Sequence, residues 1–183
     1  MKMKPFNAHP EIDPDVENAI AAARRLRALR EVSGRDYMRS VCAAFEAGAY
    51  QREIAEALGV SQVSICVLIK KARKRGIHPL PAGSAGATAY EIAERFAAGL
   101  ISREVLLREL SAWPYVSSAT PDATPDAALD RAPVEWDSSR HVIVGAGVEA
   151  ISLAFDHGLI DAAARDAILA AAAEARGASL DTA

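Results

Sequence analysis

The side chains best able to do chemistry together lie between Gln51 and Arg75 of this 183-residue sequence. Gln62 carries a donor and an acceptor on one amide, the pair needed to grip a planar edge at two points. Val63 and Val67 follow at helical spacing and can offer methyl surface. Lys70, Lys71, Arg73, Lys74 and Arg75 place five cations within six positions, a density suited to phosphate oxygens. Arg52 adds a cation upstream, and Gln51, Ser61 and Ser64 add small polar groups. Ser61 stands just before an apolar-periodic run, where its hydroxyl can cap a helix whose first N–H groups attract anions.

Elsewhere the chemistry thins out. His9, His78, His141 and His157 lack the close spacing of a metal site. Ser139 and His141 are near one another, but no nucleophile elbow or third partner accompanies them. Val142-Ile-Val-Gly-Ala-Gly-Val-Glu-Ala150 imitates the opening of a dinucleotide fingerprint. The residues after it read as helices with no second strand, so the sheet that such a site needs is missing. The expectation is a chain with no catalytic residues, no metal and no cofactor. Trp113 and Trp136 read as apolar anchors rather than a stacking platform.

Helices must position the Gln51–Arg75 groups, because alanine is abundant and most Gly and Pro residues fall between periodic segments. Asp13-Pro14 predicts a helix start, and Ser33-Gly34 its end, with Val16, Ala19, Ile20, Ala23, Leu26 and Leu29 as its apolar stripe. Further helices are predicted over about 36–47, 51–58 and 61–75. Behind Pro79–Ala87, Thr88-Ala-Tyr-Glu91 has capping-box spacing and opens a helix to about 98. Others follow from Ser102 to about 113, over 148–157, and from Asp161 to 176 with Gly177 as the stop. Phe45-Glu-Ala-Gly48, Phe96-Ala-Ala-Gly99 and Phe155-Asp-His-Gly158 repeat one helix-closing pattern. A reused packing solution and a true duplication both account for it, and the first is the simpler.

The fold class expected is all-α. An N-terminal unit covers 1–78, a linker 79–87, and a small acidic helical domain 88–183 with a loop at about 114–140. The formal charge of −3 conceals a division: +1 over 1–34, +4 over 35–78 and −8 over 79–183. No apolar run is long enough to span a membrane. Met1-Lys-Met-Lys-Pro5 lacks the apolar stretch of a secretion signal, and Cys42 and Cys66 are too few for a disulfide framework. Together these point to the cytoplasm.

Gln51-Arg-Glu-Ile-Ala-Glu-Ala-Leu-Gly-Val-Ser-Gln62, continued by Ile65, Leu68 and the basic tail, resembles the helix-turn-helix DNA-binding family of the sigma-factor region 4 and resolvase-like type. The resemblance covers about 35–78. It implies that Ile54, Leu58, Val60, Ile65 and Leu68 pack the motif, that Ala55 allows a close crossing, and that Gly59 makes the turn. It also implies an outer face of Gln62, Val63, Cys66, Val67 and Lys70 that enters the major groove of double-stranded DNA. Gln62 would then pair with adenine and Val63 or Val67 touch a thymine methyl, while Arg52, Lys70, Lys71, Arg73, Lys74 and Arg75 hold phosphates. Gln51, Ser61 and Ser64 belong to the same expected contact set. The function expected is sequence-selective DNA binding for transcription regulation by a non-enzymatic homodimer, paired through 14–33 or the C-terminal helices. Two alternatives stand beside it: a DNA-packaging protein of the small terminase type or another architectural protein, and an adaptor using Val63, Cys66 and Val67 against protein. The run Arg24, Arg25, Arg27 and Arg30 reads equally as a DNA contact or a solvated face, and the acidic half as a surface for a protein partner.

Overall fold

A computed structural model describes residues 13–80, 83–115 and 147–180. The described residues form seven helices and no strand: α1 (Pro14–Glu46), α2 (Gln51–Leu58), α3 (Gln62–Lys74), α4 (Ala89–Ala97), α5 (Arg103–Ser111), α6 (Glu149–Asp156) and α7 (Ala162–Leu180). The fold is all-α, as expected. The Trp136 anchor, the glycine fingerprint up to Ala146 and most of the expected 114–140 loop lie outside the described residues.

Helix α1 is one rod of 33 residues, where the sequence predicts two helices broken at Gly34. Its start is as expected: the Asp13 carboxylate accepts the Asp15 N–H at 2.9 Å, and Pro14 fills the first turn. Gly34 does not stop it, because a glycine costs a helix interior only about 1 kcal/mol. Packing on either side outweighs that cost. Val32 is fully buried, and Arg35 and Arg39 are ion-paired to α4. The helix ends instead at Gly48, whose φ of 99° is left-handed, with Phe45 in the last turn. Gly99 and Gly158 close α4 and α6 in the same way, with paired bonds such as Gly99 N–H to the Phe96 carbonyl at 2.8 Å and Leu100 N–H to the Arg95 carbonyl at 2.9 Å. Gly177, by contrast, does not end α7, which runs on to Leu180.

Helices α4–α7 make two hairpins packed into a four-helix unit around Ile92, Leu106, Leu110, Ile151 and Ile168, with Trp113 against it. Tyr90 ties α4 to the end of α6, its hydroxyl 2.6 Å from His157 Nδ1, and burial pushes that hydroxyl's pKa up to about 12. Glu91 departs from the expected capping box. Thr88 Oγ1 accepts the Glu91 N–H at 3.0 Å, but the Glu91 carboxylate turns to Arg39 and the Ala87 N–H.

The C-terminal unit and the Gln51–Lys74 motif share α1. Ala28, Val32, Arg35 and Arg39 line the side of α1 that meets α4, while Val41, Ala44 and Phe45 lie on the side that meets α2 and α3. Arg25 Nε donates to the Ala98 carbonyl at 3.4 Å. A Cβ on Gly158 would lie 3.5 Å from the Arg24 guanidinium. Two of the four N-terminal arginines therefore cover the carboxyl ends of α4 and α6, where a cation is favoured. The expected spacer is also engaged. Arg39 Nε donates to the His78 carbonyl just before it at 3.0 Å, Ala85 within it packs on the C-terminal core, and the Ala85 N–H reaches Glu109 at 3.4 Å. Gly83, at a φ of 78°, and Ser84, whose hydroxyl bonds to Gly86, make turns in this stretch.

Candidate nucleic-acid interface

The end of α1 with α2 and α3 forms a three-helix unit around Val41, Ile54, Ala55, Ile65 and Ile69. Ala55 is small where α2 approaches its neighbours, and it is buried. Gly59 holds φ at 66°, and the Val60 N–H closes on the Ala55 carbonyl at 3.0 Å, so the chain reverses in three residues. The Tyr50 N–H donates to Glu53 at 2.9 Å and opens α2. Ser61 caps α3, its hydroxyl accepting the Ser64 N–H at 3.1 Å and lying 2.8 Å from the Ser64 hydroxyl.

Leu58 and Val60 do not pack as expected; both are exposed. The reason is that α2 touches α1 and α3 alone among the described helices, so none of them covers its far end. Cys66, expected on the outer face, is half-buried.

The buried side of α3 is Ile65, Ile69 and Ala72. Opposite it runs a ridge of Val63, Val67, Lys70 and Lys74, with Val63 72% and Val67 57% exposed. Lys71 and Arg75 are exposed beside that ridge. Gln62 is exposed at the start of α3, but it turns toward α2 and lines a groove with Tyr50, Gln51, Arg52 and Glu56. Within this groove the Arg52 guanidinium pairs with Glu56 at 2.8 Å, an exposed pair of little strength. Arg73 stands over the Phe45 ring, 5.8 Å from its centroid.

The structure thus brings Gln51, Arg52 and Gln62 to the groove, and Ser61, Ser64, Val63, Val67, Lys70, Lys71 and Lys74 to α3's start and outer side. Tyr50 is the residue the sequence reasoning passed over. It is exposed at the mouth of the groove, where a phenol can meet a phosphate or sugar, and its position just before the motif's first helix is the signal that marks it. Among the described residues no group of three or more His, Cys, Asp or Glu side chains sits together as a metal would require. Among them, too, no helix is long and apolar enough to cross a membrane.

Comparison with protein-family models, with curated proteins and with solved structures found no match to this chain.

Proposed function

We propose that this protein binds double-stranded DNA sequence-selectively through α2 and α3, and regulates transcription in the cytoplasm without catalysis. The observation that carries the reading is the exposed side of α3, where two valines and then cations follow a serine-capped start. An α-helix fits the major groove, and its first turns lie nearest the base edges. Gln62 and Val63 occupy that first turn. Lys70, Lys71 and Lys74 lie further along, where phosphates of a flanking backbone would be met, and these position the helix rather than select sequence. The acidic C-terminal unit, attached on another side of α1, stays clear of that surface and offers a contact for a protein partner.

The exposure of Val63 and Val67 also supports a second reading, an adaptor docking α3 on another protein. Salt separates the two. Binding to genomic duplex fragments should weaken steeply as salt rises, because each neutralised phosphate releases a counterion. An affinity for DNA that ignores salt, or no affinity at all, rejects the DNA reading and favours the adaptor. A ring-sized assembly on DNA would favour packaging.

A further inference from the structure

We propose that two copies of this chain pair through the N-terminal part of α1, antiparallel, with the two-fold axis beside residue 21. Among the described residues, the apolar stripe of α1 is covered at one end only. Val41 and Phe45 meet α2 and α3, whereas Val16 (50% exposed), Ile20 (43%) and Leu26 (65%), on the same side of the rod, are left uncovered by the described residues. Ala19 and Ala23 lie between them. Val16, Ala19, Ala23 and Leu26 follow the three-then-four spacing of a coiled-coil seam. They face away from Ala28, Val32, Arg35 and Arg39, so α4–α7 lie on the far side and the seam can pair without rearrangement.

Charge selects the partner and its direction. Asp13 stands at the start of α1 and the exposed Arg27 further along, at equivalent positions beside the seam, whereas Arg24 is taken up at the end of α6. In a parallel pair, acid would meet acid and arginine would meet arginine. Reversed about residue 21, Val16 lies across from Leu26 and Ala19 across from Ala23, while Arg27 reaches the level of Asp13 of the second copy. The alanine layers at the centre let the two axes approach closely.

The geometry fixes a distance on DNA, a part that rests on the proposed function. The reading unit sits at about residue 43 of α1, midway between Val41 and Phe45, some 22 positions from the axis. At ~1.5 Å per residue that is about 33 Å, so two reading units stand roughly 66 Å apart. This is about two turns of B-DNA, or half-sites about 20 base pairs apart centre to centre.

The first experiment needs no DNA. Light scattering of the full chain at tens of micromolar should give twice the single-chain mass, and Leu26→Glu should halve it with unchanged helicity and a melting temperature that no longer depends on protein concentration, because Leu26 is exposed in the single chain. For direction, Val16→Cys and Leu26→Cys chains carrying Cys42→Ser and Cys66→Ser should crosslink on oxidation when mixed, and neither should crosslink alone. A monomer, an assembly larger than two, or crosslinking by either variant alone overturns the pairing. The second experiment titrates duplexes carrying two copies of a selected genomic site at centre spacings of 10, 15, 20 and 25 base pairs. Tightest binding is expected at 20, and an optimum at 10 overturns the geometry. A dimer that binds none of these duplexes leaves the pairing standing and rejects the DNA reading instead.

Discussion

Arg39 and Glu91 meet through two parallel hydrogen bonds, 2.6 and 2.7 Å long, and so fasten the second half of α1 to the start of α4. Arg95 adds to the same carboxylate at 3.2 Å, and Asp36 holds both Arg39 and Arg95. Both Glu91 and Glu94, which pairs with Arg35, are buried on the α1 side of a helix whose other side is core. A buried pair that loses one partner leaves an uncompensated charge behind. Arg39→Met leaves Glu91 with the longer Arg95 ion pair alone and should cost about 3 kcal/mol at neutral pH, the low end for a broken buried pair, read by urea unfolding. Adding Glu91→Leu should recover much of it. A double variant as weak as the single one would assign the loss to packing.

The same carboxylate should make stability sensitive to acid. Burial alone would push Glu91 up, but the hydrogen bonds and charge of Arg39 outweigh it and hold the carboxyl below its ordinary value of 4.5. The unfolded chain therefore takes up this proton at a higher pH than the folded one. The contribution is complete above the ordinary value and is lost as pH falls through the depressed one. Glu94 acts oppositely, since burial, only partly answered by Arg35, raises it. Unfolding curves at pH 7 and pH 3.5 should show a smaller acid loss in Glu91→Gln than in the unaltered chain. Equal losses would remove Glu91 from the account.

Two glycines should respond in opposite directions to alanine. A Cβ on Gly86 would come within 2.9 Å of Ile92 Cγ1 and 3.1 Å of its backbone nitrogen, at the entry to the buried α4. Gly86→Ala should destabilise by roughly 1–3 kcal/mol, the usual cost of overpacking. Gly34 has open space around it inside α1, so Gly34→Ala should stabilise by about 0.5–1 kcal/mol. Thermal melts of both variants measure this, and a destabilised Gly34→Ala would mean that α1 needs a bend there.

On DNA, Gln62→Ala should reduce discrimination between a selected site and a scrambled one, with little change on the scrambled duplex. Lys71→Ala should weaken both alike and lower the salt slope by about 1. Titration of each variant on both duplexes decides; the same loss from both variants on both duplexes would sink the proposed geometry of α3.

Much of this architecture is legible in local residue patterns. Asp13-Pro14, the three Phe-x-x-Gly endings and Ser61, Thr88 and Ser102 mark helix ends, because caps depend on a few neighbouring atoms. What local patterns conceal is partnership at a distance. Gly34 reads as a stop because α4, which holds α1 together across it, is encoded more than fifty residues later. Glu91 looks like a capping residue for the same reason: its guanidinium partner lies in α1. The composition of 79–87 says nothing about Ala85 reaching the C-terminal core. Within the motif, turn and cap are readable, whereas the exposure of Leu58 follows from which helices α2 lacks as neighbours, and Gln62 is turned toward α2 by its place three positions before the buried Ile65.

The unbroken α1 also makes residue count a variable in its own right. The C-terminal bundle and the three-helix unit grip different sides of one rod, so the residue count between Arg39 and Val41 sets the angle at which one is presented to the other. Removing a single residue there would swing the two by about 100° and draw them together by ~1.5 Å. Adding seven would restore the angle to within about 20° while lengthening the rod by roughly 10 Å. Working versions of this helix should therefore differ in length by whole turns, a tolerance that comes in steps rather than as a gradual slope.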